Sequence, residues 1–282
     1  MQYDIQKLLE NASDLTCKPQ VVMRIENMLL DPTVAFTEIA KVVSIDHALV
    51  ARTFRVANSC FFGRMTKAKT LTEAIVTIGI KGLYSLVLTH IIIQSFKRFG
   101  LQERSFWNHA VGVSIASMTL AAESVRCSTE DAMVCGLLHD IGKSLMNAME
   151  PALYADVTRK VYNERVSYSS AELEVFGFTH SEVGFMLAQK WNLPSDVQTI
   201  ILYHHSPRIV EKDAIELLRL TSIVNLADIM CIKLGMSIQE FDNAFSWEDV
   251  ETAKILEFSK ERLDELEPII RRRIDEEKRI FD

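Results

Sequence analysis

The stretch His109-Ala110-Val111-Gly112-Val113-Ser114-Ile115-Ala116-Ser117-Met118-Thr119-Leu120-Ala121-Ala122 puts Val111, Ile115, Met118 and Ala122 three or four residues apart. That spacing lays side chains along one face of an α-helix. The same steps recur at Val22, Ile25, Met28 and Leu29 and through most of the chain. The predicted fold class is therefore all-α.

Composition agrees with the pattern. Among 282 residues there are 10 glycines and 6 prolines, under half the roughly 12% usual for globular chains. With 48% apolar and 24% charged residues, the chain is excluded from disordered, collagen-like and turn-rich all-β classes. A net charge of −7 repels phosphate backbones, which disfavours nucleic acid as a partner. The longest apolar stretch, Leu83 to Phe96, is interrupted by Ser85, Thr89, His90, Gln94 and Ser95. It falls short of the ~18 uninterrupted residues of a membrane span. Met1 to Lys7 lacks the basic start and apolar run of a secretion signal, so a soluble, cytoplasmic protein is expected. Cys17, Cys60, Cys127, Cys135 and Cys231 form no C-x-x-C pair and are odd in number, which reads as reduced, mostly buried thiols.

Helix boundaries follow from local chemistry. Asp31-Pro32 ends one helix, and Ser44 or Asp46 can cap the next. Thr72 ahead of Glu73, and Ser128-Thr129-Glu130-Asp131, mark further starts, while Pro151, Pro194 and Pro207 mark breaks or first turns. No Gly/Ser linker or internal repeat is visible, and a subdomain break is expected in Arg98 to Arg104. From Trp247 to Asp282 charges alternate with Ile255, Leu256, Leu263, Leu266, Ile269 and Ile270, the pattern of one amphipathic helix or a pair. Arg271-Arg272-Arg273 is diluted by Asp275, Glu276 and Glu277 and reads as a solvated face.

Five of the seven histidines, His109, His139, His180, His204 and His205, fall in one part of the chain where each can face a common pocket. His139 is followed by Asp140 after an apolar run from Ala132 that reads as a buried helix. Successive helical residues point about 100° apart, so this doublet cannot chelate like an i, i+4 pair, but it can line a cavity. His204-His205 serves one site only if its helix end lies against that site. Asp228 stands inside an otherwise apolar helix, where an unpaired carboxylate is costly and a metal or a cation would relieve it.

Imidazoles and carboxylates without thiolates suit one or two divalent ions, Fe, Mn, Zn, Co or Ni. With an open coordination position, such a centre acidifies water and polarises a phosphoryl oxygen. The plain alternative is structural: Asp140 pairs with Lys143, and Asp228 pairs with Lys233 or a helix N-terminus. His47, after Asp46, and His90, in an apolar helix, are read as structural.

The doublet His139-Asp140 resembles the motif that names the HD superfamily of metal-dependent phosphohydrolases. The order His109, His139-Asp140, His180, His204-His205, Asp228 is similar to the metal-site pattern of its HD-GYP branch, which hydrolyses cyclic di-GMP. The first third is more specific. Asp31-Pro32-Thr33-Val34-Ala35-Phe36-Thr37-Glu38-Ile39-Ala40, Val43-Ser44-Ile45-Asp46, Arg55-Val56-Ala57-Asn58-Ser59, Phe62-Gly63, Thr72-Glu73-Ala74-Ile75 and Ile78-Gly79 resemble the HDOD family. Phe106-Trp107-Asn108-His109, His180-Ser181-Glu182-Val183-Gly184 and Trp191-Asn192-Leu193-Pro194 continue the likeness, which runs from about residue 12 to 235.

That resemblance implies a bacterial signal-transduction module: a helical N-terminal subdomain over residues 1–103, an HD-type helical core over 104–235 and C-terminal amphipathic helices over 236–282. Its metal ligands would be His109, His139, Asp140, His180, His204, His205 and Asp228. As a phosphohydrolase it would use Asp140 and Lys143 catalytically, Lys143 stabilising developing phosphate charge. Two departures disfavour a cyclic di-GMP hydrolase: Ser206-Pro207-Arg208 follows the tandem histidines in place of a Gly-Tyr-Pro loop, and Ser105 stands four residues before His109 where an acidic ligand is common. His47 also replaces a proline common after the family's aspartate, a change confined to a helix start. Input is expected from a protein partner or a small-molecule nucleotide, and a homodimer is a further expectation.

Overall fold

In the computed structural model every regular element among the described residues is helical. Described are residues 31, 33–58, 67–95, 101–124, 127–210, 214–239 and 245–281, with a few positions before residue 31. Pro32, Cys17, Cys60, Ser59, Phe62-Gly63 and part of the expected break at 98–104 lie outside them, as does the side chain of His90. No helix of the described residues is long and apolar enough to cross a membrane.

The chain divides into two compact units, one of residues 1–17 and 98–274, the other of residues 18–97 and 275–282. In the second, α1 (Phe36–Val43) and α2 (His47–Ala57) pack against α3 (Leu71–Ser95). Their contact faces carry Ile39, Val43, Leu49, Val56, Ala74, Ile75 and Ile78, all buried. Asp46 caps α2 by accepting from the Leu49 N–H at 3.0 Å. At α3 the cap is Thr70, which accepts from the Glu73 N–H at 3.1 Å; expected Thr72 already lies inside the helix. The Glu73 carboxylate in turn accepts from the Lys69 N–H, one residue before the cap, at 2.8 Å. Within α3, Gly79 interrupts the helix at φ 75°, ψ 165°, a conformation open to glycine alone.

The larger unit holds α4 (Leu101–Glu123), α5 (Thr129–Leu138), α6 (Ile141–Met149), α7 (Pro151–Glu164), α8 (Tyr168–Val175), α9 (His180–Lys190), α10 (Ser195–Tyr203), α11 (Ile215–Lys233), α12 (Glu251–Ile255) and, up to Ile274, α13 (Lys260–Phe281). The centre is α4, buried on all sides from Val111 to Ala121 and packed against α5 and α11. Ser128 caps α5 as its position suggests, accepting from the Asp131 N–H at 3.1 Å. Pro151 occupies the first turn of α7, and the C-terminal segment forms two helices, α12 and α13. Cys135 and Cys231 are buried as thiols, outside any disulfide, and Cys127 is a half-buried thiol.

One close approach positions the chemistry. A Cβ added to Gly142 on α6 would collide with the His180 carbonyl oxygen and lie 2.8 Å from the Gly184 nitrogen. Glycine at 142 therefore lets α6 and α9 touch backbone to backbone, carrying His180 up to Asp140.

Candidate metal centre

The His139-Asp140 doublet does not lie along a helix, as the apolar run from Ala132 led us to expect. Helix α5 stops at Leu138, His139 is its C-terminal cap, and Asp140, at φ −100°, ψ 16°, starts α6. The corner between two helices turns both side chains to one side, with His139 Nε2 3.3 Å from Asp140 Oδ2. His204-His205 solves the same problem at the end of α10: His204 caps the helix, His205 leaves it, and their ring centroids are 3.9 Å apart.

Around Asp140 the packing of α4, α9, α10 and α11 collects the remaining donors. His180 Nε2 lies 3.2 Å and His204 Nε2 3.7 Å from Asp140 Oδ1, while His109 Nε2 lies 3.7 Å from Oδ2. Asp228, inside α11, meets His109 Nε2 at 3.0 Å, and His205 Nδ1 stands 3.8 Å from its other oxygen. Two groups result, Asp140 with His180, His204 and His205, and Asp228 with His109 and His139; within each, the donor atoms lie within 4.8 Å of one another. All seven are buried except His205, whose side chain is 35% exposed.

The ring nitrogens carry directional information. His139 Nδ1 lies 2.8 Å from the Gly136 carbonyl, and His204 Nδ1 lies 2.8 Å from the Ile201 carbonyl. A carbonyl only accepts, so both Nδ1 atoms donate, and in the neutral ring each Nε2 presents a lone pair. Those Nε2 atoms are shielded from solvent and make no hydrogen bond. They face the oxygens of Asp140, which are themselves acceptors. Lone pairs converging on a carboxylate repel unless a cation lies among them.

Lys143 supplies one positive charge. Its Nζ is 2.6 Å from Asp140 Oδ2 and sits 4.4 Å above the Tyr168 ring. The structural pairing of Asp140 with Lys143 is thus present, whereas Lys233 pairs with Glu267 and leaves Asp228 to His109. Burial alone would raise the Asp140 carboxyl, but the positive charges that a protonated His139 and Lys143 place beside it outweigh that and hold its pKa well below the carboxylate range. Burial likewise opposes ionisation of Asp228, which the His109 hydrogen bond nevertheless drives far down. Burial lowers His204 to about 4, keeping it neutral at physiological pH. In His180 burial is overcome mainly by the Glu172 carboxylate, which raises it to about 8.

A model of the HDOD domain matches residues 15–207, more than half of the chain. This chain belongs to the HDOD family. An HDOD domain protein of unknown function from Geobacter sulfurreducens, known as a crystal structure, is 27% identical, with a TM-score of 0.76 over 97% of this chain and 99% of that one. A Shewanella amazonensis protein provisionally named a phosphohydrolase shares the fold at 21% identity, with a TM-score of 0.72 and 98% of both chains covered. An uncharacterized protein of Treponema pallidum (strain Nichols) is 25% identical over 200 residues, which are 71% of this chain. This HDOD chain spans about two fifths of that relative's length, the match covering 39% of it.

Two residues of the HDOD site escaped the sequence reading. Glu172, fully buried on α8, accepts from His180 Nδ1 at 2.6 Å and from the His180 N–H at 2.8 Å. Its signal was present: Tyr168, Ala171 and Glu172 share the buried face of α8, so an acid stands in an apolar stripe as Asp228 does. Asn225, one turn before Asp228, donates to the His204 carbonyl at 2.8 Å and accepts from Thr252 Oγ1 at 2.9 Å, anchoring the end of α10.

Proposed function

We propose that this HDOD chain is a regulatory protein of bacterial signal transduction whose larger unit holds one or two divalent ions, Fe or Mn before Zn, Co or Ni. The observation that carries the reading is that Nε2 of His139 and of His204, each with its Nδ1 committed to a backbone carbonyl, is buried without a hydrogen bond and faces the Asp140 carboxylate. Asp140, His180, His204 and His205 would hold one ion, and His109, His139 and Asp228 a second. A bound ion of this kind supplies Lewis acidity and an acidified water.

Regulation is favoured over turnover by what surrounds the donors. A phosphoester needs a free cation for its developing charge, and Lys143 is spent on Asp140 and covered by Tyr168. Six of the seven donors are buried, so the state of the centre reaches a partner through helix packing more readily than through a bound substrate. The signal would pass to a protein partner or a second copy of the chain, in the cytoplasm, in response to a partner or a nucleotide.

A second reading, a metal-dependent phosphohydrolase acting on a nucleotide or cyclic dinucleotide, is favoured by the exposure of His205, which opens the four-donor group to solvent. In that reading Lys143 exchanges Asp140 for the phosphoryl oxygens, and Asp140 turns to the ion. Elemental analysis of protein purified without chelator, with a phosphodiesterase screen before and after Asp140→Asn, separates the two. Stoichiometric metal without turnover is the expected result. Turnover that disappears in the variant establishes the hydrolase instead, and metal-free protein removes both readings.

A further inference from the structure

The three fully buried histidines of the two donor groups are oriented by different kinds of acceptor. His139 and His204 each sit at a helix C-terminus, where the carbonyl three residues earlier in the same helix is within reach of Nδ1. Their proton is placed by local geometry. His180 is the first residue of α9, and a first-turn residue has no preceding carbonyl of its own helix to use. Its Nδ1 needs an acceptor from elsewhere, and Glu172 of α8 provides it at 2.6 Å.

Glu172 is fully buried, and a carboxylate there is tolerable only if its oxygens are filled with donors. They are apportioned without overlap. Oε2 takes the His180 Nδ1 and the free His180 N–H at the start of α9, and Oε1 takes the Tyr154 hydroxyl at 2.6 Å. Tyr154 is itself buried, with its ring edge-on to Phe106 at a centroid distance of 5.7 Å. The capping box of Thr179 and Glu182 holds the first turn of α9 in place, so the ring of His180 cannot drift from its acceptor.

The geometry points to Glu172, held by Tyr154, as the positioning residue that fixes the proton of His180 on Nδ1 and turns its Nε2 lone pair toward Asp140 and His205, an inference that rests on the metal-binding reading above. The charge matters as well as the direction. A carboxylate behind an imidazole raises its basicity more than a neutral carbonyl does, which makes His180 the strongest imidazole donor of the four-donor group. Glu172 touches no ion in this role and acts only through His180.

The test uses the full chain with Co(II) as the probe, followed by its visible absorption and by competition with a chelator. Glu172→Gln keeps the shape and loses the charge; roughly tenfold weaker Co(II) binding is expected, with stoichiometry retained. Glu172→Ala removes acceptor and charge; roughly 100-fold weaker binding and an altered Co(II) spectrum are expected. Tyr154→Phe should weaken binding less than either. In metal-free protein at pH 9 with nitrogen-15-labelled histidines, NMR should find His180 protonated on Nδ1 in the wild type and redistributed to Nε2 in Glu172→Ala. Wild-type Co(II) affinity, spectrum and tautomer in a folded Glu172→Ala overturn the inference. If Glu172→Ala does not fold, unchanged binding in both Glu172→Gln and Tyr154→Phe overturns it. Failure of the wild type to take up Co(II) counts against the metal-binding reading, while the His180 tautomer still decides the positioning role.

Discussion

The two donor groups meet at one corner of the fold but are built differently. In the four-donor group, His180 and His204 have their outer nitrogens bound to Glu172 and to the Ile201 carbonyl, and His205 opens to solvent. In the three-donor group only His139 is backed in this way, by the Gly136 carbonyl; His109 Nδ1 is buried without a partner, and Asp228 already has His109 at 3.0 Å. Preorganised donors lose less freedom when an ion arrives, so the first group should bind more tightly and exchange through His205. The second should bind more weakly and exchange more slowly.

The harshest way to break this comparison is Asp140→Asn. Asp140 faces both groups and neutralises Lys143, so the substitution should abolish metal uptake and cost about 3–5 kcal/mol by leaving Lys143 buried and unpaired. Elemental analysis with chemical denaturation checks it, and retention of one full ion would show that the groups do not share Asp140. His204→Gln and Asp228→Asn separate the groups: each should remove one ion and spare the other, with the tighter ion lost in His204→Gln.

Acidity probes the metal-free protein. His204 has a folded pKa of about 4, below its ordinary value near 6.5, so the unfolded chain binds the extra proton between these values. Stability should therefore fall by up to about 3 kcal/mol as pH drops from 6.5 to 4. His180 acts on the other side. With a folded pKa of about 8, its contribution is complete below 6.5 and is lost, up to about 2 kcal/mol, as pH rises through 8. Chelated protein should thus be most stable near pH 6.5 in urea titrations. Metal should lift the alkaline side most, because His180 must give up its proton to bind.

Gly142→Ala addresses the approach of α6 to α9. The added methyl meets the His180 backbone and should cost about 1–3 kcal/mol, weakening the four-donor group while sparing the other. The smallest effect belongs to His205→Gln. At the rim it should leave the melting temperature nearly unchanged and speed Co(II) release from the four-donor group alone.

The seven candidate donors were legible because their chemistry is carried by residue type: Asp228 in an apolar helix and two doublets containing histidine are conspicuous in one dimension. The doublets' geometry was not. Their apolar lead-in reads as continuous helix, yet α5 and α10 end at Leu138 and Tyr203, so that each doublet sits on a corner. Thr70 rather than Thr72 caps α3 because its hydroxyl stands three residues before the Glu73 N–H, where an N-cap oxygen can reach. Glu172 passed unnoticed because its apolar stripe is short, only Tyr168 and Ala171 sharing its face, whereas Asp228 stands in a long apolar helix.

By itself the amino-acid order determined the helical class, through three- and four-residue apolar steps, and the kinds of donor available, through imidazoles and carboxylates without thiolates. Only the packed structure decided which of those donors meet. His109 and Asp228 are 119 residues apart and touch because α4 and α11 lie side by side. Which nitrogen of each imidazole keeps its proton depends on whether a carbonyl or a carboxylate lies behind it. Periodicity is local and can be read along a chain, whereas the direction of a lone pair is set by neighbours that only folding brings near.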